Sequence, residues 1–435
     1  MTPALRAKRR ARAVITVAAA FVALTALVCV AAIADRRAQT AFAPATAATF
    51  EREPANAPAR PRNGEPWPAA FRPYGPSSPW NVPLPEHPRL IARSAEMIAS
   101  AYADGPGTPV LRTSEPGSED DTHPVYFASA TDPLVVLRCT IFCANARAES
   151  IRIPAQARPA AGGDHHLGVV QPDGTEYDFW EAEQNDVDAP YGGVVTRDWR
   201  DGDVLGYGGG GACSNFFTGS GIAESGGPTA GGACLAAGRI RASELEAGTI
   251  AHALFWATRC VADRRFVPPA DGAIADDPKN VCLGDPERHI PLGARIWLDL
   301  DDAQIAALGL SDVESTYLRA LHRYGAFVMD ERTCGPRGRC SSEGPLVGFS
   351  SLDPPQEAWS FGAEPPGNTY AREHGWRAVT ILGGETPRYV LAGPWSPPID
   401  FARHLHIVDP CYAARTCGEE TARRASAVPP PAAAR

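Results

Sequence analysis

Residues 163–181 read GDHHLGVVQPDGTEYDFWE and carry a clear structural signal. Two runs with β-branched and aromatic residues flank a Pro-Asp-Gly turn, which is the pattern of a β-hairpin. Pairing Gln171 with Thr175 places Gly168 opposite Asp178 and His166 opposite Trp180, because side chains alternate between the two faces of a strand. The sequence therefore predicts a carboxylate beside an imidazole and an indole.

Strand-like runs dominate the rest of the chain, each short and bounded by Gly, Pro or Asp. They cover Pro133–Arg138, Ser150–Ile153, His166–Val170, Glu176–Trp180, Ile250–Ala257, Ala294–Leu298, Ala326–Met329, Ala378–Leu382 and Arg388–Leu391. We expect a mainly β fold, a jelly-roll-like β-sandwich with a few short helices and long disulfide-pinned loops.

Helical signals are fewer. Apolar residues recur at helical spacing over Pro88–Tyr102, and Ser311 followed by Glu314 predicts a capping box for a helix that stops near Gly325. The glycine-rich stretch Gly202–Gly232 has no periodic pattern, so we expect a long loop there.

The N-terminus predicts export. Residues 1–12 are basic, and residues 13–34 carry no charge. The uncharged segment is long enough to span a bilayer, and the basic residues before it predict that the start of the chain lies in the cytoplasm. We expect a single-pass anchor in the cytoplasmic membrane. Cleavage and secretion are the alternative, because Ala32-Ile33-Ala34 and Ala41-Phe42-Ala43 resemble signal-peptidase sites.

The remaining chain divides by composition. Residues 35–66 and 419–435 have few large apolar side chains, which predicts a disordered tether and a disordered tail around one extracytoplasmic domain, 67–418.

Ten cysteines follow the apolar segment. Their order suggests five consecutive bridges, although sequence alone leaves the connectivity open: Cys139 with Cys143, Cys213 with Cys234, Cys260 with Cys282, Cys334 with Cys340 and Cys411 with Cys417. Oxidised cysteines agree with export. No pair of CxxC motifs is present, so we expect no structural zinc.

Composition argues against several classes of function. The net charge is −9 and only Lys8 and Lys279 are lysines, so nucleic acid is not an expected partner. Phosphate-cradling, HExxH and GxSxG motifs are missing, and we expect no cofactor.

The hairpin residues suit sugar chemistry. Asp178 or His166 could move a proton, with Asp164 orienting the imidazole, while Trp180 and Tyr177 could receive a sugar ring. The alternative is a hairpin with a solvated polar face and an ordinary aromatic pair in the core.

Three residues outside the hairpin complete the candidate set. His252 lies in an apolar run and either faces Asp178 or is a hydrogen-bonded core histidine, and two histidines with a carboxylate could also bind a metal. Trp256 is a further candidate for sugar binding. Tyr324 could act as the tyrosine of a polysaccharide lyase, or pack at the end of the preceding helix.

Two resemblances extend this interpretation. The motifs SPWN (78–81), Asp164 with His166, YDFW (177–180), GTIAHAL (248–254), PLGAR (291–295) and YGA (324–326) resemble a set of uncharacterised secreted bacterial proteins frequent in actinobacteria. That resemblance supports the domain limits and implies no activity.

The second resemblance is local. Residues 176–181, EYDFWE, are similar to the active-site strand of laminarinase-type glycoside hydrolases, which are jelly rolls. The resemblance would make Glu176 the nucleophile, Asp178 its helper and Glu181 the acid/base. Because Glu176 and Glu181 alternate to opposite faces of a regular strand, this assignment requires a β-bulge.

We therefore expect an extracytoplasmic enzyme that cleaves a polysaccharide or cell-wall glycan, by hydrolysis or by elimination. The alternatives are a wall-binding module, with Trp180, Trp199 and Trp256 exposed together, and a structural envelope protein.

Overall fold

The predicted hairpin is present in the computed structural model of the chain. Strand β5 (Leu167–Val170) and strand β6 (Thr175–Trp180) pair antiparallel, with Gly168 opposite Asp178 as expected. The amide of Gln171 donates to the carbonyl of Thr175 at 2.8 Å, which closes the turn in the predicted register.

The structure describes residues 61–63, 67–102, 110–113, 123–145, 148–160, 164–184, 195, 197–223, 226–258, 261–272, 285–331, 349–352, 373–375, 377–379, 388–391 and 399–417. All of them belong to one compact unit, Ala59–Arg435.

The other strands, in chain order, are β1 (Val110–Thr113), β2 (Val125–Phe127), β3 (Leu134–Asn145), β4 (Ser150–Arg152), β7 (Glu183–Gln184), β8 (Val204–Asn215), β9 (Leu254–Thr258), β10 (Val261–Phe266), β11 (Ile290–Leu292), β12 (Arg295–Leu298), β13 (Ala326–Glu331), β14 (Phe349–Leu352), β15 (Arg377–Val379), β16 (Arg388–Leu391) and β17 (Leu405–Val408). The helices are α1 (Ser94–Tyr102), α2 (Ala242–Glu246), α3 (Asp302–Ala307), α4 (Asp312–Arg323), α5 (Phe401–His404) and α6 (Cys411–Ala414), with a 3-10 turn at Pro286–Arg288.

The strands form several sheets. The main sheet has the order β2-β5-β6-β8-β3-β4, with β7 on β8, and a second sheet has the order β17-β12-β13-β9. The order β14-β1-β16-β15 forms a third sheet, and β10 pairs with β11. The prediction of a mainly β fold with few short helices is confirmed. The jelly-roll form stays a prediction, and β2–β5, β3–β8 and β9–β13 are parallel pairs, whereas the strands of a jelly roll are antiparallel.

The two largest hydrophobic cores among the described residues hold these layers. One packs β3, β5, β6 and β8 around Phe179, Leu205 and Tyr207. The larger core joins the second sheet and α4 to the aromatic residues Trp67 and Trp80 near the start of the described chain. Helix α4 begins at Ser311, whose hydroxyl accepts from the Glu314 amide while the Glu314 carboxylate accepts from the Ser311 amide, so the predicted capping box is confirmed.

The glycine-rich stretch was expected to be a loop, and that expectation is wrong for its first half. Residues 204–215 form β8, which lies between β6 and β3 in the main sheet. The backbone groups of β8 form hydrogen bonds with β6 on one side and β3 on the other, and this pairing outweighs the low strand propensity of glycine. The lack of side chains is itself required, because a Cβ at Gly208 would lie 2.9 Å from the Trp180 ring.

The predicted strand Ile250–Ala257 begins only at Leu254. Ala253 donates its amide to the Trp80 carbonyl at 2.7 Å instead of to a strand neighbour, so His252 lies in the segment before β9.

Three of the expected disulfides are present: Cys139–Cys143, Cys213–Cys234 and Cys411–Cys417. The other two expected pairs, residues 260 with 282 and 334 with 340, lie outside the described residues. Within the described ranges, no helix combines the length and the apolar composition that crossing a bilayer requires. The anchor predicted at residues 13–34, the tail and most of the tether lie outside those ranges. Residues 61–63 of the predicted tether are described, and Asn63 exchanges two hydrogen bonds with the backbone of Phe127.

Gly210→Ala tests how closely β8 approaches β6. Gly210 has φ +97°, and a Cβ there would lie 2.1 Å from the Asp178 carbonyl oxygen. We expect this variant to lose at least ~3 kcal/mol of unfolding free energy, measured by chemical denaturation. Gly202→Ala is the matched control, because Gly202 has φ +82° but open space around it, and its cost should be on the order of 1 kcal/mol. Equal costs would contradict the close approach.

Candidate functional site

Glu176 and Asp178 form a buried carboxyl pair on β6, and both side chains are 0% exposed. The Tyr74 hydroxyl donates to Glu176 Oε2 at 2.9 Å, and the Ala236 amide donates to Oε1 at 3.3 Å. The Leu235 amide donates to Asp178 Oδ2 at 3.0 Å. The alternative of a solvated polar face is therefore wrong for these two residues.

Burial controls the charge of this pair. It raises the pKa of Glu176 to about 7, against the opposing effect of the hydrogen bonds from Tyr74 and Ala236. It also raises the pKa of Asp178 well above its ordinary value, and the neighbouring Glu176 carboxyl adds to that rise. Ionising both of two adjacent carboxyl groups that are shielded from water costs much free energy, so the pair retains a proton at neutral pH.

The imidazole predicted beside the pair belongs to a buried row of basic groups. His166 lies just before β5, and its ring centroid is 4.4 Å from that of His123. Arg239 donates to the His123 ring, and its guanidinium lies 4.2 Å from the centroid of the Phe255 ring.

A second group of residues, which we call the rim, lies around the Trp180 end of β6: Trp180 and Glu181, Asp164 from the segment before β5, and Phe142 from β3. Trp180 Nε1 donates to Asp164 Oδ1 at 2.9 Å, and the Glu181 amide donates to the Asp164 carbonyl at 2.7 Å. The Phe142 ring lies 6.1 Å from that of Trp180 and Phe142 is 66% exposed. The rim therefore combines carboxyl groups with an accessible aromatic surface.

The rim carboxyl groups are perturbed. Glu181 is partly buried, has φ +54°, and its Oε1 has no hydrogen-bond partner among the described residues. Burial, followed by the carboxylates of Asp164 and Glu183, raises the pKa of Glu181. Burial and then Asp164 raise the pKa of nearby Asp330 to about 7. A carboxyl group with a raised pKa beside an accessible aromatic surface is a candidate general acid.

The structure does not bring Glu176 and Glu181 together. The pairing of β6 with β8 shifts between Thr175 and Tyr177 and is regular from Tyr177 to Trp180, so no bulge lies between Asp178 and the end of the strand. The partners of Glu176 are Tyr74, Ala236 and Asp178, whereas Glu181 lies by Asp164 and Glu183.

His252 is a hydrogen-bonded core histidine, 4% exposed. Its Nε2 lies 3.2 Å from Glu244 Oε1 and its Nδ1 lies 2.8 Å from the Ala253 carbonyl oxygen. Glu244 also binds Arg241 at 2.5 Å, so the partners of His252 are this ion pair and not Asp178.

The other candidate residues lie in the hydrophobic cores or pack against them. Tyr324 ends α4 and packs on the large core, and its carbonyl accepts from Arg295 Nε at 2.7 Å. Trp256 is 0% exposed and donates to the Tyr317 hydroxyl, so the expectation that Trp256 binds sugar is wrong. Tyr177 is partly buried against the smaller core. Trp199 is also buried, so the three tryptophans of the binding-module alternative do not form one exposed surface.

In the described part of the chain, one group of potential metal ligands lies close together: Asp178 with Cys213 and Cys234. The two sulfurs are bonded to each other, so neither is a thiolate ligand. The disulfide instead fixes the segment whose amides bind the carboxyl pair.

Sequence reasoning missed Tyr74, His123, Arg239 and Phe142. The first three reach the hairpin from distant parts of the chain, and no local pattern indicates those contacts. The position of Phe142 could have been noticed in the sequence, because it lies between Cys139 and Cys143. A disulfide that closes so short a loop disturbs strand pairing. The pairing of β3 with β8 indeed shifts on both sides of Phe142.

No known protein family, curated protein or solved structure matches this chain.

Glu176→Gln tests the charge state of the carboxyl pair. The pKa of Glu176 is about 7 in the folded chain and roughly 4.3 when unfolded, so its stabilising contribution is complete below the unfolded pKa and is lost as pH rises through 7. We expect the unfolding free energy to fall less between pH 5 and pH 8 in the variant, by on the order of 3 kcal/mol. Denaturant unfolding at both pH values measures this difference. The exposed Glu246→Gln is the control, and identical pH dependence in wild type and Glu176→Gln would refute the assignment.

Proposed function

We propose that this chain is an extracytoplasmic glycoside hydrolase that cleaves a polysaccharide or cell-wall glycan at the rim. The observation that carries the proposal is the position of Glu181, a partly buried carboxyl group with a raised pKa, beside the accessible rings of Trp180 and Phe142. The apolar N-terminal segment and the disulfides support a location outside the cytoplasm.

Each rim residue has a role in this proposal. Trp180 and Phe142 pack against the apolar face of a sugar ring. Glu181 donates a proton to the leaving oxygen, and Asp164 supplies the second carboxyl group that glycosidases place across the scissile bond. The hydrogen bond from Trp180 Nε1 to Asp164 Oδ1 holds the indole ring next to this carboxyl group.

The carboxyl pair supports the rim from behind. Glu176 and Asp178 are fully buried and anchor β6 to the disulfide-linked segment, so Trp180 and Glu181 extend from a fixed strand. Hydrolysis is favoured over elimination, because His252 has its hydrogen-bond partners in the core, Tyr324 packs against the large core, and no described contact joins either of them to the rim.

A non-catalytic glycan-binding module is the second candidate. The accessible Phe142 beside Trp180 favours it, since an aromatic surface alone retains sugars. The two candidates differ in what the carboxyl groups do, so a carboxyl-to-amide change separates them.

Glu181→Gln tests the proposal in the full-length chain, purified in a non-ionic detergent. Incubation with a panel of plant, algal and bacterial wall polysaccharides should release reducing ends without absorbance near 235 nm, and Glu181→Gln should lower that rate by roughly 10²-fold or more. The exposed Glu287→Gln, on the 3-10 turn, is the control and should cleave at the wild-type rate.

Phe142→Ala tests the aromatic surface on the same panel. Phe142→Ala should reduce the extent to which a polymer in the gel slows the migration of the protein. Phe266→Ala, which removes another exposed ring (48% exposed), should not. Retention without cleavage by the wild type would favour the binding module. Product absorbing near 235 nm would show elimination and contradict hydrolysis.

A further inference from the structure

One disulfide encloses a residue of the rim. Cys139 and Cys143 are bonded to each other on β3, and Phe142 lies between them with its ring 6.1 Å from that of Trp180. The Cα atoms of the two cysteines are 5.5 Å apart, whereas four residues of regular strand span about 13 Å. The bridge therefore bends β3 sharply at the position that presents Phe142.

The pairing of β3 with β8 records this bend. Cys139 pairs with Tyr207 and Phe142 pairs with Gly209, so three residue steps along β3 match two steps along β8. The Thr140 hydroxyl donates to the Tyr207 carbonyl at 3.0 Å, so a side chain supplies a hydrogen bond where the backbone pairing is irregular. The extra residue forms a bulge, and the bridge closes it.

The position of Phe142 depends on this bridge. Phe142 is 66% exposed, so packing contributes little to holding its ring in place. On the β8 side it meets Gly209, which has no side chain to contact the ring. The bridge, supported by the hydrogen bond of Thr140, is therefore the main restraint that keeps the Phe142 ring beside Trp180.

The three described disulfides differ in their accessibility to solvent. Cys143 is exposed and Cys139 is partly buried. By contrast, Cys213 and Cys234 are 6% and 0% exposed, and Cys411 is 7% exposed. Exposed disulfides react with thiols more readily than buried ones. Among the described bridges, a reductant therefore reaches Cys139–Cys143 first.

We propose that Cys139–Cys143 is a redox switch that controls the aromatic surface of the rim. A thiolate of a dithiol reductant attacks the exposed Cys143 sulfur and releases the Cys139 thiolate, which takes up a proton. The second thiol of the reductant then displaces Cys143 from the mixed disulfide. The protein gains two thiols, and the reductant leaves as a cyclic disulfide.

Reduction changes the rim because it frees β3. Without the bridge the segment from Cys139 to Cys143 extends, Phe142 moves away from Trp180, and the rim loses an exposed ring. That this loss weakens glycan binding rests on the proposed function. The reduction and the movement of β3 do not depend on it.

Limited reduction of the full-length chain tests the accessibility of the bridge. The protein is treated with dithiothreitol in non-ionic detergent without denaturant, its free thiols are alkylated at intervals, and mass spectrometry identifies the labelled cysteines. Cys139 and Cys143 should be labelled at least roughly tenfold faster than Cys213, Cys234 and Cys411. Equal rates, or faster labelling of the buried bridges, would overturn the proposal.

Hydrogen exchange measures the movement of β3 without any ligand. In the double variant Cys139→Ser/Cys143→Ser, amides of residues 139–145 and 206–211 should exchange faster than in the wild type. The matched control is Cys411→Ser/Cys417→Ser, which removes another short bridge, on α6, and should leave both segments unchanged. Wild type reduced with dithiothreitol is the second sample should the first variant not fold. Unchanged exchange in both segments would refute the switch.

Migration in a gel that contains the polymer connects the switch to the rim. The polymer should slow Cys139→Ser/Cys143→Ser no more than it slows Phe142→Ala, and reoxidation of reduced wild type with oxidised glutathione should restore the slowing. Slowing equal to that of the untreated wild type in the variant would overturn the proposal. A wild type that no polymer slows would contradict the proposed function, and thiol labelling and hydrogen exchange would still decide whether the switch exists.

Discussion

The burial of two carboxyl groups on one strand constrains the structure around β6. Glu176 and Asp178 are separated by a single residue, so the pleat of β6 places them on the same face. Burying them requires hydrogen-bond donors and a proton, because an unpaired buried carboxylate is very costly. The amides of Leu235 and Ala236 and the hydroxyl of Tyr74 supply the donors.

This requirement explains several features that look unrelated in the sequence. The bridge between Cys213 on β8 and Cys234 holds the donor amides next to β6. Gly168 lies opposite Asp178, and a Cβ there would come within 2.8 Å of Asp178 Oδ1, so no other residue leaves space for the carboxyl group. The burial of the carboxyl pair thus accounts for both a disulfide and a glycine that no local sequence motif relates.

Local chemistry could be predicted from the sequence, and long-range contacts could not. The hairpin register and the capping box at Ser311 follow from neighbouring residues, and both are present. Three of the five cysteine pairs suggested by the order of the cysteines are present as well. The strand β8 was missed because its stability comes from two neighbours and not from its own glycines. The partners of Asp178 and His252 were missed for the same reason, since Leu235 and Glu244 reach them through tertiary folding.

The two ends of β6 place carboxyl groups of similar chemistry in opposite environments. At the Glu176 end every carboxyl oxygen of that residue has a donor and the side chain is sealed, which is the environment of a structural group. At the Glu181 end one oxygen has no donor in the described residues, other carboxylates lie close, and solvent reaches the neighbouring ring. Burial raises the pKa of a carboxyl group at both ends, but only at the rim does a solvent-exposed ring, that of Phe142, lie beside the perturbed carboxyl groups. The exposure of this ring, more than the size of a pKa shift, therefore separates the proposed site at the rim from the buried carboxyl pair.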